Sequence, residues 1–168
     1  MAAALELQLQ DLVARSKLRA ARERGRDMRP ALRSMGQAGV NQTRKRFLDK
    51  RAPDGASWKP TRKIGGSTLI ASGILLRSIS VRDVQADSVA WGTNLVYAAT
   101  HQFGATIRPK GNYPLRFRLA GGNGQEIRAM KVEIPARPFL GINSENLAEF
   151  AQIGLRYVAG PLTDGGGA

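Results

Sequence analysis

The one histidine of this chain, His101, lies in the run Tyr97-Ala98-Ala99-Thr100-His101-Gln102-Phe103-Gly104. A histidine that works as a general base needs a nucleophile beside it and a carboxylate that fixes its tautomer. No Asp or Glu occurs between Asp87 and Glu126, so any such carboxylate has to come from elsewhere in the fold. A structural or interface histidine is the simpler reading. With no cysteine and no second histidine, thiol nucleophiles, disulfides and cysteine- or histidine-rich metal sites drop out together. The acids after residue 63 are scattered as Asp83, Asp87, Glu126, Glu133, Glu145, Glu149 and Asp164. Glu145 and Glu149 share a helix face, but near a helix start such residues usually complement the dipole, and nothing singles out a glycosidase-type pair. The glycines from Gly121 to Gly124 lack the Gly-Lys-Ser/Thr ending of a phosphate loop and fall between two strands, so they read as a turn. The expectation is a protein without catalytic residues, cofactor or metal. An enzyme such as a wall hydrolase ranks last among the functions considered.

What remains is charge. Lys and Arg number 26 against 13 Asp and Glu, for a net charge of +13. The excess is uneven, with 16 basic and 6 acidic side chains in residues 1–63 and 10 against 7 in the remainder. A basic half of this kind suits nucleic acid, an acidic protein partner or a solvated helix surface. The densest cluster is Arg44, Lys45, Arg46, Lys50 and Arg51, which could contact phosphates. Reading bases or single strands usually needs aromatics among the basic residues, and Phe47 and Trp58 are the only ones in the first 63 positions. Non-specific backbone contact therefore stays open, and sequence-specific recognition does not.

The elements that must position these residues follow from periodicity. At 168 residues the chain suits a single domain, taken as residues 1–159. Residues 1–50 form a basic helical region, 51–66 a long loop, 67–159 a sheet with helices, and 160–168 a flexible tail. Leu5, Leu9, Leu12, Val13 and Leu18 set an apolar stripe on a first helix over 3–25, beside a row of Arg15, Arg19, Arg22 and Arg26. Gly25 interrupts, and Asp27 can cap a second helix that runs to about Lys50 and buries Met28, Leu32, Met35, Gly39 and Phe47. Pro53, Asp54, Gly55, Pro60, Gly65 and Gly66 make the following stretch a loop, with Trp58 as its anchor. A two-residue period then marks a hairpin of Ile79 and Val81 with Val89 and Trp91, turning at Gln85 to Asp87. A short helix over 95–102 stops at Gly104. Leu115 to Leu119 pairs with Gln125 to Ile134 through a glycine turn, with a bulge between Ile127 and Met130. Pro135 and Pro138 force an extended crossing. Ser144 caps a last helix with Leu147, Phe150, Ala151, Gly154, Leu155 and Val158 on one face. The class is α+β, with N-terminal helices, an antiparallel sheet of about four strands and a C-terminal helix. The longest apolar run, Leu69 to Leu76, is too short to span a bilayer, and the leucines near the N-terminus lack a signal-peptide layout.

Three blocks carry a resemblance. Arg46-Phe47 is followed by Pro53-Asp54-Gly55 and Trp58-Lys59-Pro60. Ser72-Gly73-Ile74-Leu75 comes next. Trp91-Gly92-Thr93-Asn94-Leu95-Val96-Tyr97-Ala98 with His101-Gln102-Phe103-Gly104 is then completed by Ile134-Pro135-Ala136-Arg137-Pro138-Phe139-Leu140-Gly141-Ile142. In this order, over about residues 40–158, the sequence resembles the phage virion morphogenesis family, the tail-completion proteins of Mu-like and related tailed phages. The resemblance implies a structural virion protein assembled in the host cytoplasm, without catalytic residues. It implies a ring at the head–tail junction, a homohexamer because such tail tubes are six-fold. Its partners are further copies of itself, the tail tube protein and neck or head-completion proteins, with possible non-specific contact to passing DNA and no membrane. The physical reading adds candidate interface residues. Trp58 lies on a loop that can reach a neighbour, and His101 sits near the end of the short helix. Arg137, Phe139 and Leu140 sit on the proline-stiffened segment, which either plugs a neighbouring subunit or closes the domain's own core. The alternative function is a basic nucleic-acid-binding assembly factor that uses Arg44, Lys45, Arg46, Lys50 and Arg51.

Overall fold

A computed structural model describes residues 2–60, 68–118 and 126–163. Helix α1 spans Ala2–Arg26 and α2 spans Arg29–Asp49. The helix runs through Gly25, and the chain breaks two residues later, where Pro30 supplies the first turn of α2. Met28 occupies the cap position. Asp27, expected there, instead accepts the Arg29 backbone N–H at 3.2 Å and the Arg29 guanidinium at 2.7 Å. Lys50 ends α2 in the left-handed conformation and returns its N–H to the Arg46 carbonyl.

Helix α2 is central because its buried side is made of small residues. Ala31, Gly36, Ala38, Gly39, Val40 and Thr43 form most of it, where the expected Met28, Leu32 and Met35 are only half-buried. A hairpin of β1 (Ser80–Val84) and β2 (Val89–Gly92) lies across it. A Cβ on Gly39 would stand 2.6 Å from the Trp91 ring, so only glycine lets this strand come so close. Trp91 Nε1 then donates to Thr43 Oγ1 at 3.2 Å, and that hydroxyl donates to the Gly39 carbonyl at 2.7 Å. The short α3 (Ile74–Ser78) leads into β1. Helix α5 (Ser144–Thr163) packs against both α2 and α1. It carries helix through 160–163, so the expected loose tail starts later; residues 164–168 lie outside the described residues.

The architecture is α+β, with the β part divided more finely than periodicity implies. The described strands form three two-stranded antiparallel ribbons in place of one sheet of about four strands: β1–β2, β3 (Ala105–Ile107) with β6 (Val132–Ile134), and β4 (Leu115–Arg118) with β5 (Glu126–Ala129). The expected bulge after Ile127 is a change of partner. Ala129 still pairs with Leu115, whereas Val132 pairs with Ile107. The turn expected at Ala120 to Gly124 lies outside the described residues. A groove of about 1070 Å³ opens between the last two ribbons, lined by Phe103, Phe117 and Ile127 among others. The core comprises Val40, Phe47, Ala52, Trp58, Leu75, Ile79, Ala98 and Phe139.

Candidate assembly site

The segment from Ile134 to Ile142 is short of hydrogen-bond donors, because Pro135 and Pro138 have no N–H. It belongs to no strand beyond Ile134, so its buried backbone groups need side-chain partners. Three side chains supply them. Arg46, at the last turn of α2, donates to the carbonyls of Phe139 (3.1 Å) and Gly141 (2.7 Å) and to Asn146 Oδ1 (2.6 Å). Gln102, on α4 (Ala98–Phe103), accepts the N–H groups of Phe139 and Leu140 at 3.0 Å and donates to the Leu140 carbonyl at 2.9 Å. Trp58 Nε1 donates to the Pro138 carbonyl at 2.9 Å. The Arg137 N–H reaches the His101 carbonyl at 2.7 Å. Gly104 makes this approach possible: its φ is +76°, and a Cβ there would meet Ala136 N at 2.9 Å.

The side chains of the segment are equally committed. Phe139 is fully buried, 5.2 Å from the Phe47 ring, which in turn meets Trp58 edge-on at 5.5 Å. Such pairs add about 0.5–1.5 kcal/mol beyond the area they bury. Arg137 turns away from Phe139 and donates to the Lys59 and Pro60 carbonyls at 2.8 and 3.0 Å, which ties the loop down. Arg46 and Arg137 are both buried, and both guanidinium groups face neutral oxygens. Burial pulls their basicity below that of a free arginine, and charge-assisted bonds to carbonyls offset the cost.

These positions decide between the readings that the sequence left open. Trp58, Arg137 and Phe139 close the subunit's own core and do not present themselves to a neighbour; the reason is that the segment has too few backbone donors to stand alone. Leu140 is half-buried against the same core. Ala52 to Pro60 of the loop is likewise held at home, by a bridge of Arg51 with Ser57 and by the Trp58 and Arg137 bonds; residues 61–66 lie outside the described residues. His101 is half-buried, with Nδ1 enclosed and unpartnered, and its ring lies 6.1 Å edge-on from Tyr97. Burial, and then the charge of Arg137, hold its basicity below the ordinary value. The basic cluster also divides. Arg46 is buried, and Arg44 donates to the Ile79 carbonyl at 2.8 Å. Lys45, Lys50 and Arg51 are exposed, and the hollow of about 620 Å³ beside Lys45 and Arg51 also holds Asp49, Asp54, Glu145 and Glu149. That mixture is a poor cradle for phosphate.

Arg46 with Phe47, Trp58, Gln102, and Pro138 to Gly141 are far apart in sequence, yet they form one knot. A family model describing the phage virion morphogenesis family matches residues 8–159. The chain belongs to the phage virion morphogenesis family. The residues of the knot all fall within the matched span, so this member is built around a donor-poor segment braced by an arginine and a glutamine. The comparisons with curated proteins and with solved structures found no match. Membership gives the chain a part in building the phage virion. Among the described residues no group of His, Asp and Glu could hold a metal ion, and no helix is long and apolar enough to cross a membrane.

Gln102 and Asn146 are the members of the knot that side-chain chemistry alone did not single out. Gln102 lies inside the His101-Gln102-Phe103-Gly104 block, and its place before the helix-ending Gly104 was the available signal.

Proposed function

We propose that this family member is a tail-completion subunit that closes into a ring at the head–tail junction, six copies matching a six-fold tail tube, and that it makes and breaks no bonds. Its partners are other copies, the tail tube protein and the neck or head-completion proteins, at the tail or neck of the particle. The observation that carries this reading is the contrast at the surface. The knot consumes the segment's hydrogen-bonding groups internally, while large apolar side chains elsewhere, such as Phe103, Tyr113 and Leu155, are more than half exposed. Exposed apolar area on that scale marks surfaces meant for other proteins. The one histidine has no carboxylate partner among the described residues, which supports a non-catalytic role. Lys45, Lys50 and Arg51 retain a capacity for incidental contact with passing DNA; the mixed charge around them favours protein partners.

The test is assembly without the polypeptide. Particles lacking it should accumulate as separate heads and tails, seen by electron microscopy, and should regain infectivity when the purified protein is added. Joined, infectious tails formed in its absence would end this reading.

A further inference from the structure

We infer that the outward face of α5 is the surface on which a second copy of this chain docks, through the first half of its α1. The inference rests on the ring reading above and names the contact that would build the ring.

Helix α5 is apolar on both sides. Its inner side is occupied: Phe150 meets Trp91 at 5.8 Å, Gly154 abuts Met35, and the Tyr157 hydroxyl donates to the Asp27 carbonyl at 3.1 Å. The chain's own α1 is fixed on that inner side, where Arg24 donates to the Tyr157 carbonyl at 3.0 Å and lies over the Tyr157 ring. On the other side Leu147, Leu155 and Leu162 are 60%, 69% and 45% exposed, with exposed Ala148 and Ala151 between them. At 3.6 residues per turn these five occupy one sector about 100° wide. The outer face of a helix in a free-standing subunit is normally charged, and a helix that is apolar all round is a buried one.

A matching surface exists on the same chain. From Leu12 to Ala20 of α1, the half-buried Lys17 is the only side chain that is not exposed, and Leu12, Val13 and Leu18 are all more than half exposed. At about 1.5 Å per residue, α1 is some 37 Å long, and a helix of that length is rarely held by propensity alone. Charge selects the pairing. Helix α1 carries Arg15, Lys17, Arg19 and Arg22, whereas the first two turns of α5 carry Glu145 and Glu149 with no basic residue. The leucines of one copy's α1 therefore rest on Leu147 to Leu155 of the next, with its arginines toward those carboxylates. Donor and acceptor are different surfaces, so the contact is heterologous and repeats around a ring until it closes.

The absence of cysteine from the sequence makes the test clean. L12C and L155C proteins, each uncrosslinked alone under mild oxidation, should give a disulfide-linked dimer when mixed. The double variant should give a ladder ending at the ring. Efficient dimerisation of L155C alone would overturn the inference in favour of an α5–α5 contact. L155K, at an exposed position opposite the arginine row, should weaken self-association at least tenfold by analytical ultracentrifugation while leaving the melting temperature of the monomer unchanged. Rings of L155K as stable as the unaltered ones would refute the α5 contact and leave the ring itself standing. Absence of any ring from both solution and particles would remove the ring and this contact together.

Discussion

The knot around Phe139 and the outer face of α5 are only a few residues apart in sequence, yet they are built on opposite terms. In the knot, Arg46, Gln102 and Trp58 meet the backbone groups of Pro138 to Gly141 one by one, and Phe139 has no exposed surface. On α5, leucines stand in solvent along most of the helix. The difference separates two tasks. Residues that fold the subunit are saturated within it, and residues left unsaturated are available for assembly. Mutations should therefore split into those that unfold the chain and those that leave it folded but unable to associate.

The largest effect is expected at the centre of the knot. Phe139→Ala removes a fully buried ring that touches Phe47, and should cost about 3–5 kcal/mol in urea unfolding. A cost below 1 kcal/mol would mean that the segment can detach, and the contrast between the two regions would collapse. Arg46→Met comes next. It strands the carbonyls of Phe139 and Gly141 and the amide oxygen of Asn146, for a loss of roughly 2–4 kcal/mol. Arg46→Lys should recover little, because an ammonium cannot reproduce the fork that serves three oxygens. Gly39→Ala sharpens the comparison on the other side of α2. The new methyl displaces the Trp91 ring and its bond to Thr43, for about 1–3 kcal/mol. Leu155→Lys, by contrast, should change monomer stability by no more than about 0.5 kcal/mol, since its side chain touches little.

Much of this plan was legible in the sequence, and the failures have physical causes. The long helices α1, α2 and α5 and the β1–β2 hairpin follow from apolar spacing, and the close approach at Gly39 from its size. Arg46 did not stand out from Arg44, Lys45 and Lys50, because a buried guanidinium and a solvated one look alike until the segment 93 residues later supplies its acceptors. The four-stranded sheet failed at Met130-Lys131, where alternation continues while the partner strand changes. On α5, Phe150, Gly154 and Val158 were placed inward, as found, but Leu147, Ala151 and Leu155 turn outward. Periodicity cannot tell which side of a helix is inner when both sides are apolar. That failure marks the surface proposed for a second copy.

The smallest effect concerns the hinge between the two regions, where α4 meets the braced segment. His101 is the only histidine, so it is the only side chain whose ordinary range, near 6.5, falls between pH 5 and 7. Its basicity in the folded chain lies below that ordinary value, first through burial and then through the charge of Arg137. The unfolded chain therefore binds this proton more readily than the folded one as pH falls through 6.5. Stability is complete above that point and declines below it until the folded group also takes up its proton. For one proton the slope cannot exceed about 1.4 kcal/mol per pH unit. Urea unfolding at pH 7, 6 and 5 should show a modest loss toward acid, and His101→Gln should flatten it. An equal slope in that variant would place the acid-sensitive group elsewhere. A slope of opposite sign would mean that the charged imidazole finds a partner in the folded chain, so that the knot is not saturated at its edge.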